Sequence, residues 1–157
     1  MTSPKIVLIT GPAGSGKTTL ARELCASPGH RRWPSWTTRA PRSGEVAGFD
    51  YEFVARARFE QAIADGELLE HIVGPGGARY GLPAPPGDAD ACLVAVVSRD
   101  ACDRAHMLFG GFEIKVIALD APDEVLLARM RHRGDDDDAV DARARLFAAE
   151  RPDHHDE

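Results

Sequence analysis

The chain opens on four aliphatic residues in succession, Ile6, Val7, Leu8 and Ile9, then a glycine-rich run, then leucines four apart at Leu20 and Leu24. A short segment that is apolar on both faces and lacks a helical period predicts a strand buried inside a sheet. Leucines at i and i+4 predict a helix with one buried face, beginning near Lys17 and stopped by Ser27-Pro28-Gly29. Residues 92–97, CLVAVV, repeat the first pattern and predict a central parallel strand, and residues 113–119 predict another. A helix is expected over 100–108, ending at Gly110-Gly111. A second is expected from Pro122 through His132, where Asp123 and Glu124 suit the positive helix end. Gly134 and the acidic run 135–138 break that helix, and residues 140–150 predict a last one.

The middle of the chain follows a different rhythm. Trp33 and Trp36 flank a proline and predict a short strand, and residues 37–54 predict a Gly/Pro-rich loop closing in a hairpin-like strand at Tyr51 and Phe53. Phe59, Ala62 and Ile63 predict a helix over 56–65, residues 67–73 predict a strand, and residues 82–90 read as a Pro/Gly/Asp linker. Alternating strands and helices imply a three-layer α/β fold with a mostly parallel sheet. The irregular block from about 35 to 82 then lies across the sheet end at which open α/β folds bind ligands.

Composition narrows the class without naming a chemistry. A chain of 157 residues with 43% hydrophobic and 28% charged residues predicts one globular domain rather than a disordered chain. A net charge of -6 argues against a surface dominated by nucleic-acid binding. No apolar run reaches membrane-spanning length, and the chain enters its first strand without a signal-peptide pattern, so a cytoplasmic protein is expected. Cys25, Cys92 and Cys102 are odd in number and lack metal-ligand spacing, as reduced packing residues would. The pair His154-His155, close to the end of the sequence, reads as solvated rather than metal-binding.

The glycine-rich run carries the first specific chemistry. Gly11-Pro12-Ala13-Gly14-Ser15-Gly16-Lys17-Thr18 satisfies G-x-x-x-x-G-K-[ST], with Thr19 following, between a predicted strand and a predicted helix. Glycines let successive N–H groups converge on phosphate oxygens, and the helix start adds its positive end. Lys17 reaches the β- and γ-phosphates and Thr18 offers its hydroxyl to Mg²⁺, so the stretch implies ATP and Mg²⁺.

A second set of residues points to a phosphorylated acceptor. Arg39 and Arg42 lie three apart in a proline-stiffened loop, a spacing able to aim two guanidinium forks at one phosphate. Tyr51 and Tyr80 add phenolic donors, and Glu70 can accept from a donor edge such as that of guanine. The stretch TTRAPRSGEVAGFDYEFV, with Phe59, Gly66, Leu69-Glu70 and Tyr80-Gly81, resembles the GMP-binding segment of guanylate kinases. The resemblance implies a P-loop kinase fold with a parallel core sheet, an inserted GMP-binding subdomain and a short lid. It divides one domain, 1–157, into a core (1–34 and 91–132), an acceptor-binding insertion (35–90), a lid (133–142) and a last helix (143–150). It further implies that Arg39, Arg42, Tyr51 and Tyr80 hold the acceptor phosphate and that Ser35 and Glu70 hold guanine. Arg129 and Arg133, in ARMRHRG, match arginines directed at the ATP phosphates, and Arg143 and Arg145 compete for the lid-helix arginine. The activity so implied is transfer of phosphate from ATP to GMP or dGMP by a monomer or homodimer acting on nucleotides alone.

Three departures from that family pattern bear on the acceptor base and the adenine. Leu82 follows the Tyr-Gly pair where the family has a polar residue, and Ala95 and Val97 stand where the family has a D-x-D pair. The sequence ends at Glu157, before the further strand and helix that help cover adenine in the family. The segment VVSRDACDRAH resembles the ribosyl bisphosphokinases, which makes ribose 1,5-bisphosphate the alternative acceptor. A guanylate-kinase-like binding module without turnover is the alternative from another class.

Overall fold

The computed structural model describes residues 5–87 and 90–151. The His154-His155 pair and part of the 82–90 segment lie outside the described residues. Strand β1 (Lys5–Thr10), β2 (His30–Arg32), β7 (Cys92–Val96) and β8 (Glu113–Ala118) form one sheet in the order β2-β7-β1-β8. All its pairings are parallel. Alternate residues of β1 and β7 feed opposite faces, as a strand period of two requires. Val7, Ile9 and Val94 pack with Ala21 of helix α1 (Lys17–Ala26), beside half-buried Leu20 and Leu24. Ile6, Leu8, Leu93 and Ala95 pack the other way, on Ala101, Ala105 and Phe109. Helices on both faces of a parallel sheet make the three layers the alternation predicts.

A second sheet carries the middle of the chain. It is built from β3 (Ser35–Thr37), β4 (Tyr51–Phe53), β5 (Leu68–Val73) and β6 (Arg79–Pro83), in the order β4-β3-β6-β5. Helix α2 (Arg56–Ala64) follows β4 and buries Phe59 and Ala62. Two expectations change here. Tyr51 and Phe53 do not close a hairpin: β4 runs parallel to β3, in the register Ser35↔Tyr51 and Thr37↔Phe53, because the intervening loop carries the chain back before it re-enters. The start of the expected linker at 82–90 is the end of strand β6, which pairs antiparallel with both β3 and β5. Gly81 and Pro83 look like breakers in the sequence. In the fold a Cβ at Gly81 would lie 2.8 Å from Leu68 and 3.0 Å from Phe59, so glycine there serves close packing.

The C-terminal helices are shorter than the periodicity suggests. The 100–108 helix is two turns, α3 (Arg99–Asp103) and α4 (Ala105–Leu108), divided at Arg104. Helix α5 (Asp123–His132) has Pro122 at its N-cap. The acidic run 135–138 does not simply break the chain: the Asp136 side chain accepts a hydrogen bond from the Ala139 N–H, capping α6 (Asp137–Ala144). The last helix expected over 140–150 is instead the end of α6 and a separate α7 (Phe147–Glu150), joined by a tight turn at Leu146. Met130 of α5, Val140 of α6 and Phe147 of α7 close over Ala13 as a third apolar cluster, and so lock these helices onto the glycine-rich loop. No helix among the described residues is long and apolar enough to cross a membrane.

Candidate active site

Strand β1 ends at Thr10 and α1 begins at Lys17, so the glycine-rich loop sits at the C-terminal end of a central parallel strand. Gly11 has φ +145°, and a Cβ there would stand 2.3 Å from the Leu119 carbonyl oxygen, so the loop's path leaves no room for a side chain. The Lys17 ammonium donates to Gly11 O at 2.6 Å and Pro12 O at 2.9 Å, folded back along the loop. Burial lowers its pKa to about 8, with Glu150 opposing that shift and Arg143 and Arg133 adding to it. The Ser15 hydroxyl is buried and has no hydrogen-bond partner among the described residues. Thr18 and Thr19 are exposed in the first turn of α1, which carries no acidic side chain to offset its positive end. A side-chain-free cradle, a buried ammonium, an unpaired buried hydroxyl and an open helix N-terminus together suit a triphosphate.

One cavity of about 400 Å³ joins this loop to the second sheet. Gly11, Ala13, Lys17 and Arg143 line one end, and Ser35, Tyr51, Glu70 and Tyr80 line the other. Ser35 is buried on β3 and its hydroxyl donates to Val96 O at 3.0 Å, so it ties the second sheet to the first. The Tyr51 and Tyr80 rings meet edge to face at 6.0 Å, and the Arg39 guanidinium lies 5.4 Å from the centre of the Tyr51 ring. Burial raises the Tyr51 phenol above its ordinary pKa, with Tyr80 adding to the shift, so it stays a donor at neutral pH. Arg39 forms a bidentate pair with Glu45 at 2.8 and 3.0 Å. Burial works against the Arg39 charge, but its hydrogen bonds and attraction to Glu45 outweigh that and raise its pKa. Glu70 is held against Arg104 at 3.6 Å, with the Ser98 hydroxyl 3.4 Å away.

The remaining arginines divide between the cavity and its rim. Arg143, on α6, faces into the cavity, whereas Arg145 is exposed at the C-cap of the same helix. Arg129 is exposed on α5 and donates to Gly14 O at 3.1 Å, which joins α5 to the loop. Arg133 grips Asp135 in a bidentate pair at 3.0 and 2.6 Å, and Arg42 approaches the same carboxylate at 3.6 Å. Asp135 is therefore shared between the loop that carries Arg42 and the turn after α5. Burial disfavours the Asp135 charge, but Arg133 and Arg42 outweigh it and lower its pKa.

Several lining residues are not legible as site residues in the sequence. Glu150 of α7 lies in the cavity, where the Ala13 N–H of the glycine-rich loop favours its charged form. Desolvation raises its pKa against the pull of Lys17. Ser98, Arg99 and Asp100 line the same cavity, and the Arg99 guanidinium donates to the Arg151 carbonyl beside Glu150. Nothing local marks Glu150, four residues into a short helix. Ser98 and Asp100 do stand directly after a predicted central strand, the position from which α/β folds project ligand-binding groups. Among the described residues no cluster of three or more His, Cys, Asp or Glu is placed to hold a metal.

A parallel sheet with helices on both faces, a phosphate-type loop after a central strand and an inserted second sheet that shares a cavity with that loop define a P-loop kinase fold. A family model described as guanylate kinase matches residues 3–82, slightly more than half of the chain. The chain is 35% identical over 157 residues to a guanylate kinase of Trichormus variabilis, a match covering 94% of this chain and 76% of that protein. It is 37% identical over 150 residues to one from a Nostoc species, covering 90% and 72% respectively. A shorter match of 71 residues is 52% identical to a guanylate kinase of Thiobacillus denitrificans, and takes in 44% of this chain and 34% of that protein. The solved guanylate kinase of Anaplasma phagocytophilum aligns with a TM-score of 0.64 at 24% identity, covering 96% of this chain and 73% of that one, and so shares its fold. The chain belongs to the guanylate kinase family.

Proposed function

We propose that the protein transfers the γ-phosphoryl group of ATP to GMP or dGMP, yielding ADP and GDP or dGDP. The observation that supports this most directly is the single cavity with Lys17 at one end and Tyr51, Tyr80 and Glu70 at the other, which gives two phosphorylated ligands room to meet. In this reading residues 11–19 cradle the triphosphate, and Thr18 would offer its hydroxyl to Mg²⁺. Mg²⁺ held there would supply charge neutralisation for the β- and γ-phosphates. Arg39, Arg42, Tyr51 and Tyr80 hold the acceptor phosphate, while Glu70 accepts from the guanine edge and Ser35 buttresses it. An acceptor phosphate oxygen attacks the γ-phosphorus, and the bond from that phosphorus to the β–γ bridging oxygen breaks as ADP leaves. Lys17 and Arg143 stabilise the charge on the transferring group and the bridging oxygen, and Arg129 and Arg133 approach it as the helices close over the loop. Arg145, at the exposed C-cap of α6, has no share in this chemistry. The reaction draws on nucleotide pools, so the cytoplasm is its place of action.

A coupled assay of ADP release across GMP, dGMP, AMP, CMP, UMP and ribose 1,5-bisphosphate tests the proposal. GMP and dGMP are expected to lead the panel. Failure of both to outpace the other acceptors overturns it.

A further inference from the structure

Leu82, Ala95 and Val97, the three apolar residues at positions where the family pattern is polar, belong to a single apolar cluster with Ile6, Leu8 and Trp33. Leu82 and Ala95 are buried to 1% and 0% exposure, so no orphaned polar group is left behind at either position. Replacing all the members of a polar network by packed apolar groups is close to neutral for stability, whereas replacing one is not. It does remove the carboxylates that would steady the base end of the cavity.

Polar groups return one step further along the chain. Asp100 lies in the first turn of α3, and Arg104 sits at the junction of α3 and α4, four residues on. Arg104 pairs with Asp100 at 2.6 Å and reaches Glu70 at 3.6 Å, so one guanidinium bridges two carboxylates. The Glu70 side chain is 8% exposed, while those of Arg104 and Asp100 are 41% and 67% exposed. Asp100, Ser98 and Glu70 line the cavity, and Arg104 holds Glu70 from behind it.

We infer that Arg104 is the specificity-determining positioning residue of the acceptor site: by bridging Asp100 and Glu70 it holds the Glu70 carboxylate aimed at the donor edge of a purine, replacing the network lost at Leu82, Ala95 and Val97. The inference rests on the GMP-kinase reading of the cavity. The charged and titratable groups that face Glu70 are Arg104 and Asp100, with Cys102 and the Ser98 hydroxyl beside them. Burial raises the Glu70 pKa, Arg104 opposes that rise and Asp100 adds to it. Ionised Glu70 accepts from guanine, so GMP affinity falls as pH drops through the pKa of this carboxyl. Removing the Arg104 charge moves that fall to higher pH.

Steady-state kinetics of Arg104→Met, Arg104→Lys and the unmodified protein, each with GMP and AMP from pH 5 to 8, test it. For Arg104→Met, KM for GMP is expected to rise about tenfold near neutral pH, as loss of one charged hydrogen-bonding partner produces. KM for ATP and kcat at saturating GMP should stay within about twofold. Its acid limb in 1/KM for GMP should move to higher pH, and Arg104→Lys should recover most of the loss. Equal losses for GMP and AMP, or an unmoved limb in a protein that prefers GMP, overturn the inference alone. An unmodified protein with no preference for GMP overturns the acceptor-site reading and this inference with it.

Discussion

Lys17 carries its ammonium between two backbone carbonyls, Gly11 O at 2.6 Å and Pro12 O at 2.9 Å, with little solvent to share the charge. Burial lowers its pKa to about 8. The unfolded chain holds the proton up to about 10.5, so the charged form is disfavoured by folding, and Lys17's contribution to stability improves as pH rises from about 8 towards 10. Lys17→Met should therefore be more stable than the unmodified protein at pH 7, by roughly 1–2 kcal/mol after the two lost hydrogen bonds are set against the relieved desolvation. The advantage should shrink above pH 8, as paired thermal melts at pH 7 and pH 9.5 would reveal. The same variant should lose phosphoryl transfer by at least about a hundredfold while still binding GMP in calorimetry. Stability gained where activity is lost is what a site built to receive an external anion produces.

At the scale of elements, the charge runs behave differently from their appearance in the sequence. The acidic run after Gly134 looks like a solvated break, yet each of its first three residues has a separate task. Asp135 bridges Arg42 and Arg133, Asp136 caps α6, and Asp137 sits on the positive end of that helix. Asp136→Ala removes the acceptor of the Ala139 N–H, 2.8 Å away, and should cost about 1 kcal/mol in urea unfolding with an unchanged m-value. Because α6 carries Arg143 into the cavity, the same change should also reduce kcat more than it raises KM for GMP. Equal effects on both constants would argue that α6 does not position Arg143 for the transferring group. The division of the 100–108 helix at Arg104 has a related consequence: the break allows the Arg104 side chain to reach Glu70 on β5 as well as Asp100 in its own turn.

The whole molecule depends on how firmly the two sheets are joined, and Arg32 is the principal clip. Its guanidinium donates to Trp33 O and Val94 O at 2.8 Å and to Asp50 O at 3.2 Å, so one side chain binds the core strand β7 to the loop before β4. Arg22 grips the buried Asp50 carboxylate at 2.7 Å from the opposite side. Arg32→Met removes the guanidinium donors to Trp33 O and Asp50 O and leaves Val94 O with the Trp33 N–H alone, and should lower unfolding free energy by roughly 2–4 kcal/mol, as measured by urea titration. The sequence by itself determined the core strands, the phosphate loop and the helix that follows it, because buried parallel strands and glycine-dependent turns are local patterns. It also determined the residue types of the acceptor pocket, through the long spaced stretch from Thr37 to Tyr80. Only the tertiary structure decided that β4 runs parallel to β3, that residues 79–83 form a strand, and that Arg143 rather than Arg145 faces the cavity. It alone brought Glu150 beside Lys17, and Arg104 against Glu70. These are contacts between segments far apart in the chain, where charge and burial are set by neighbours that no local spacing encodes.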